Sequence, residues 1–232
     1  MKTYKYIIFD LDNTLLNFTK SEHYALQDLF AKYGVIFNEE NFSTYKEINH
    51  ELWSKLEEGT IQKAAVLETR FARFFAAQGL QVDGKKADDE YRQFLEGRND
   101  LIDGAYELLD YLTEEGYILF AGTNGVGRTQ RQRLKNAEMT HYFKELYISE
   151  EVGFEKPDVR FFDTIFTQEN IKDLSKVLMI GDSLSSDIRG ANRVGIDSIW
   201  LNLYSDKSVE DKPTYECLSL KKIKELMNNN NL

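Results

Sequence analysis

The feature that most constrains this chain is a four-residue apolar run, Tyr6-Ile7-Ile8-Phe9, that stops on an acid, Asp10. A run without polar alternation suits a strand buried on both faces of a sheet. A second carboxylate, Asp12, follows two residues on, and Thr14 two after that. In an open α/β sheet, ligands sit beyond the carboxyl ends of the strands, so these side chains fall where such sheets place chemistry. Two carboxylates this close repel one another unless a cation or a shared proton intervenes. The pattern therefore asks for a divalent metal. A lone DxD reads more simply as a turn rich in Asp and Asn. The buried run ahead of DxDxT outweighs that alternative.

Four amphipathic helices are expected next. Their apolar positions are Leu26, Leu29, Phe30 and Tyr33; Tyr45, Ile48, Leu52 and Leu56; Leu67, Phe71, Phe74 and Phe75; and Ala87, Tyr91, Phe94 and Leu95. No strand interrupts them, so they predict a small bundle whose aromatic stripes form its core. From about Ile102 the pattern alternates helix and strand, with strands near 117–121, 146–149, 177–180 and 196–201 and a minor one near Tyr215. Lys156-Pro157 reads as the opening of a helix, with Pro at the first helical position and Asp158 against the amino-end dipole. The Asn-rich tail, 228–232, is expected to fray. The fold class is α/β: a Rossmann-like, mostly parallel sheet with helices on both faces. Residues 1–16 and 102–232 would build this core domain, with a four-helix cap domain, 17–101, inserted after the first strand. An insert at that point suits a lid over the mouth of the sheet.

Composition narrows the function. A net charge of -10 disfavours binding to nucleic acid polymers. The single cysteine, Cys217, excludes an internal disulfide and a cysteine-cluster metal site, and reads as a buried thiol on a late strand. His23, His50 and His141 lack zinc-ligand spacing. No apolar run is long enough to cross a bilayer and no signal-peptide core is seen, so a cytoplasmic location without a membrane partner is expected. Three apolar strands end in side chains of related chemistry. These are Asp10 and Asp12, then Thr123 and Asn124, then Asp182. Lys156 can reach the same rim. This inventory suits Mg²⁺ and a phosphate, because Mg²⁺ takes oxygen ligands and keeps waters. Thr123, the amides near Asn124 and Gly125, and Lys156 can hold phosphate oxygens.

These four stations resemble those of the haloacid dehalogenase (HAD) superfamily of phosphohydrolases. Asp10-Leu11-Asp12-Asn13-Thr14 resembles its first motif, Thr123-Asn124-Gly125 the second, Lys156-Pro157 the third, and Gly181-Asp182 with Asp187 the fourth. The helical insert is similar to the C1 cap of that superfamily. Asn49 to Trp53, Glu58 to Ile61, Arg70-Phe71 and Ile148 to Gly153 further resemble the pyrimidine 5'-nucleotidase subgroup, nucleoside monophosphate phosphatases often described as house-cleaning enzymes. The resemblance implies that Asp10 attacks phosphorus and that Asp12 protonates the leaving alkoxide, then takes a proton from water. It implies Mg²⁺ on an Asp10 oxygen, the Asp12 main-chain carbonyl and Asp182, with Lys156 stabilising charge and Thr123 bonding a phosphate oxygen. Asp187 is either an outer-shell metal group or a helix-start acid. Phe18 and Trp53 are candidates to stack on a nucleobase, with core packing the competing role for Trp53. Arg70 is a candidate for a base or phosphate, or else pairs with an acidic neighbour.

The expected activity is thus Mg²⁺-dependent hydrolysis of a small phosphorylated metabolite, a nucleoside 5'-monophosphate foremost. The alternatives are a sugar-phosphate phosphatase or a phosphomutase of the same superfamily. A dehalogenase has no use for Asp12 and the metal aspartate. A phosphate-accepting receiver module has no use for the inserted bundle.

Overall fold

The structure, a computed structural model, describes residues 4–205 and 211–228. The chain divides into two compact units, Met1–Phe18 with Asn99–Leu232, and Thr19–Arg98.

In the first unit, β1 (Tyr6–Phe9), β2 (Ile118–Thr123), β3 (Glu145–Ile148), β4 (Val177–Gly181), β5 (Asp197–Leu201) and β6 (Tyr215–Cys217) form one sheet in the order β3-β2-β1-β4-β5-β6. Every pairing is parallel, so the sheet expected to be mostly parallel is wholly so among the described residues. Successive side chains of a strand point to opposite faces. Ile7 and Phe9 join one core cluster, with Leu108, Leu109 and Leu112 of a helix at Ala105–Glu114 and Ile223 of a helix at Leu220–Asn228. Ile8 joins another, with Phe161, Phe162 and Ile165 of a helix at Val159–Gln168. Both faces are covered, which is why the central strand carries no polar alternation.

From β1 the chain steps to β2 and β3 on one side, then crosses to β4 on the other. The order reverses between β1 and β4, and the crevice outside the carboxyl ends at such a reversal is where open sheets bind ligands. Phe9 lies opposite Ile180, and the Asp10 N–H donates to the Ile180 carbonyl at 2.9 Å. Asp10 and the Gly181-Asp182 pair therefore leave the sheet side by side.

The second unit carries all of α1 (Phe18–Lys32) but its first residue, Phe18, which belongs to the first unit, together with α2 (Glu39–Glu57), α3 (Lys63–Ala77) and α4 (Gly84–Glu96). Phe30 of α1 stacks on Phe74 of α3 at 4.4 Å between centroids, and Tyr45 of α2 on Phe71 at 5.1 Å. The aromatic stripes are core. Asn38 and Asp83 cap α2 and α4, accepting from the N–H groups of Asn41 at 2.9 Å and Lys86 at 3.0 Å. The stripe of α3 runs through Val66 rather than Leu67, which is only partly buried.

The helices of the first unit are α5 (Ala105–Glu114), α6 (Gly127–Asn136), α7 (Ser149–Val152), α8 (Val159–Gln168), α9 (Arg189–Val194) and α10 (Leu220–Asn228). Pro157 does not open α8. Asp158 caps it instead, its carboxylate accepting from the Arg160 N–H at 2.9 Å, so the helix starts at Val159. The side chain that satisfies a first-turn N–H sets the boundary. Cys217 is buried on β6, and burial pushes its thiol up to about 11. Residues 229–232 of the tail expected to fray lie outside the described residues. No helix among the described residues is long and apolar enough to cross a membrane.

Candidate active site

The turn after β1 is gathered mainly on one carbonyl, with the Asn13 N–H also donating to the Leu16 carbonyl at 2.7 Å. Leu11 accepts from the N–H groups of Thr14 at 3.3 Å, Leu15 at 3.0 Å and Leu16 at 2.8 Å, and Asn13 adopts a left-handed φ of 56°. Leu11, Leu15 and Leu16 are buried and anchor the turn from below. Asp10 and Asp12 are thereby presented at the end of the central strand.

Lys156 is buried and spends its ammonium on three acceptors: Asp10 Oδ1 at 2.7 Å, Asp187 Oδ1 at 2.7 Å and the Gly122 carbonyl at 2.5 Å. Burial alone would lower its pKa, but the charges of Asp10 and Asp187 and the hydrogen bonds to both outweigh burial and raise it. Its main chain is clamped by Asn124, whose carboxamide donates to the Lys156 carbonyl and accepts from the Lys156 N–H, each at 2.9 Å. The Asn124 side chain is therefore committed to placing the lysine.

Asp187 returns to the site through a π-helical turn, Leu184–Ile188, that follows β4. Its Oδ2 accepts from the Ser183 N–H at 3.1 Å, and the Ser183 hydroxyl accepts from the Ser186 N–H at 3.2 Å. Gly181 makes this possible, because a Cβ there would lie 2.2 Å from Asp187 Oδ2. Trp200 of β5 steadies the neighbouring residue, its Nε1–H donating to the Asp182 carbonyl at 2.8 Å.

Carboxylate oxygens of Asp10, Asp182 and Asp187 lie within 4.8 Å of one another. Burial pushes Asp10 up to about 7, opposed by Lys156 and reinforced by Asp187 and Asp12. Burial also holds Asp182 well above the usual carboxylate range, with the charges of Asp10 and Asp187 adding to it. One ammonium faces three acids. The donors are all oxygens, and the charge deficit is the kind a hard divalent cation fills. This cluster fits such an ion.

Asp12 is elsewhere. Its Oδ2 accepts from Gln130 Nε2 at 2.9 Å, and its Oδ1 pairs with Arg133 Nη1. Its carboxylate is thus not part of the acid cluster, and a metal role for Asp12 reduces to its main-chain carbonyl. Thr123, at the end of β2, accepts from the Gly125 N–H and from Gln130 Nε2, both at 3.0 Å. With its lone pairs so used, its hydroxyl proton is available to a phosphate oxygen.

Gln130 and Arg133 were not legible in the sequence. The stretch RTQRQRLK, residues 128–135, reads as a solvated helix face, and only Leu134 marks a buried one. Phe18 lies beside them, with the Arg133 guanidinium 5.7 Å from its ring centroid.

The other two substrate candidates belong to the helical unit. Trp53 Nε1–H donates to Asn49 Oδ1 at 3.1 Å, and its ring packs against the cluster of Leu52, Leu56 and Val66. Arg70 is buried, paired with Asp88, and donates to the Tyr45 hydroxyl at 3.3 Å and Asn49 Oδ1 at 3.2 Å. Its guanidinium lies 5.0 Å from the Phe71 ring centroid and 4.9 Å from that of Tyr91. Every nitrogen of Arg70 has an acceptor, and the pairing with Asp88 is the acidic neighbour that the sequence left as its alternative.

Among known proteins, the chain is 37% identical over 228 residues to the pyrimidine 5'-nucleotidase PynA of Streptococcus pneumoniae, covering 98% of this chain and 96% of PynA. It is 33% identical over 223 residues to the pyrimidine 5'-nucleotidase YjjG of Escherichia coli, covering 96% and 97%. A crystal structure of YfnB from Bacillus subtilis bound to magnesium, for which interdomain movement is described, superposes with a TM-score of 0.93 at 35% identity, covering 98% of this chain and 100% of that one. Residues 7–201 match the family described as haloacid dehalogenase-like hydrolases. With the family matched over residues 7–201 and two relatives at 37% and 33% identity along nearly their whole length, the chain belongs to the haloacid dehalogenase-like hydrolase family.

Proposed function

We propose that this hydrolase is a Mg²⁺-dependent phosphatase of pyrimidine nucleoside 5'-monophosphates that works through a phosphorylated Asp10. The observation that carries the reading is the buried lysine joining Asp10 to Asp187 beside Asp182, at the point where the strand order reverses. The substrate class is drawn from two relatives whose names give it, PynA and YjjG.

Asp10, Asp182 and the Asp12 main-chain carbonyl would hold the metal, with Asp187 beside them as the partner of Lys156. When bound, Mg²⁺ supplies positive charge that lets a carboxylate approach an anionic phosphate. Lys156 takes Asp10 Oδ1 and so sets the orientation of the nucleophile. Asp10 attacks phosphorus as the ester P–O bond breaks, and Asp12 delivers its proton to the departing alkoxide. Asp12 then takes a proton from water as that water cleaves the aspartyl phosphate. Thr123 donates its hydroxyl proton to a phosphate oxygen, and Lys156 balances charge on the transferring group. The helical unit acts as the cap domain of this enzyme.

A phosphate-release screen over nucleoside monophosphates and sugar phosphates, with magnesium and with chelator, tests this. Pyrimidine nucleoside monophosphates are expected to turn over fastest, and chelator to abolish release. A sugar phosphate that outpaces every nucleotide would reject the nucleotidase. Isomerised sugar phosphate without free phosphate would assign a mutase, and no release from any ester would reject the mechanism.

A further inference from the structure

Asp12 is held from one helix. Gln130 and Arg133 are one turn apart on α6, on the same face, and each takes one oxygen of the Asp12 carboxylate. Gln130 does more than this. Its Nε2 also donates to Thr123 Oγ1 at 3.0 Å, and its Oε1 accepts from Arg133 Nη1 at 3.2 Å. A single carboxamide thus ties the phosphate-facing hydroxyl, the acid and the guanidinium into one network. We propose that Gln130 and Arg133 are positioning residues that aim Asp12 at the leaving oxygen. The proposal rests on the reading of Asp12 as proton donor and names the groups that make it competent.

Three observations separate this from structural packing. Arg133 is buried, yet its Nη2 has no hydrogen-bond partner among the described residues. An ion pair kept only for stability gains little after desolvation, and an orphaned buried donor makes it worse. An apolar residue at that position would serve α6 better, as Leu134 does next door. Second, the turn after β2 is shaped around Gln130: a Cβ at Gly125 would lie 2.6 Å from Gln130 Cδ. Third, the start of α6 is pinned by Glu150, whose Oε2 accepts from the Gly127 N–H at 2.9 Å. The helix is registered on the same strand-end loops as the site itself.

The chemistry follows from the contacts. When the Asp12 proton passes to the leaving oxygen and the P–O bond breaks, Asp12 becomes a carboxylate. Gln130 and Arg133 already stand where that charge forms, and no reorganisation is needed. They exchange no proton or electron themselves. Without them the carboxyl is free to rotate, and a misplacement of about 1 Å can cost roughly 10²-fold in rate.

The test is leaving-group dependence. p-Nitrophenol departs readily as an anion, whereas phenol needs a proton in transit. kcat/KM for p-nitrophenyl phosphate and phenyl phosphate is measured for wild type, Arg133→Met, Arg133→Lys, Gln130→Leu and Asp12→Asn. Within each variant the ratio of the two is independent of the fraction folded. Arg133→Met and Gln130→Leu are expected to lose roughly tenfold or more beyond their loss on the nitrophenyl ester when assayed on phenyl phosphate. Arg133→Lys, which keeps the charge but not the planar fork, falls between them and wild type. Equal losses on both esters in Arg133→Met and Gln130→Leu would overturn the inference. If Asp12→Asn shifts the ratio and they do not, only the positioning role falls. If Asp12→Asn leaves the ratio unchanged, Asp12 is not the acid and the mechanism above falls with it.

Discussion

Asp10→Asn is expected to cut phosphate release by roughly 10⁴-fold or more while the metal-free protein stays at least as resistant to unfolding as wild type. Removal of a nucleophile explains the first effect. The second follows from where the carboxylate sits. Burial pushes Asp10 up to about 7, with Asp187 and Asp12 adding and Lys156 opposing. An unfolded aspartate titrates near 3.9. Between roughly pH 4 and the folded value of about 7, the folded chain therefore binds more protons than the unfolded one, and stability falls as pH rises. Asp182, also raised, acts in the same direction. Lys156 is raised above the usual lysine range, so its contribution is not lost in this window. Thermal unfolding in chelator at pH 5 and pH 7.5 checks the account. Wild type should lose more Tm between these pH values than Asp10→Asn, and the reverse order would contradict it.

Lys156→Met should damage both fold and activity. The lysine is buried between two carboxylates, and its removal leaves Asp10 and Asp187 facing each other without their shared cation. Breaking a buried pair by removing one partner typically costs about 3–5 kcal/mol, because an uncompensated charge stays behind. Urea unfolding in chelator should show a loss of that order. Adding Asp187→Asn should restore part of it, since one of the stranded charges is removed. Restoration of fold should not restore turnover, because the double variant still lacks the cation that orients Asp10. A double variant with wild-type activity would place Lys156 outside the chemistry.

How much of this was legible differs by residue. The tips of β1, β2 and β4 were readable because an unbroken apolar run followed by acid or hydroxyl is a strong signal for a buried strand ending at a site. The helical insert was readable from its 3.6-residue periodicity. Side-chain direction was not. Asn124 follows the right strand but turns its carboxamide to the main chain of Lys156, 32 residues away. Arg70 lies in a stretch that resembles a nucleotidase motif, yet its partners Asp88, Tyr45 and Asn49 come from two other helices. Asp187 had two readings, and the structure carries features of both: it stands in the first turn of the π-helical segment and returns to Lys156 beside the other acids. Gln130 and Arg133 lay in a polar helix with nothing local to set them apart, since their partners Thr123 and Asp12 are set by the sheet.

Crystals of the wild-type chain grown with Mn²⁺ in place of Mg²⁺ give the most direct check of the proposed centre. The account predicts an anomalous peak within coordination distance of both the Asp10 and Asp182 carboxylates, and its disappearance in Asp182→Asn. A peak bound elsewhere in the chain, or none at a manganese concentration that supports full activity, would contradict it.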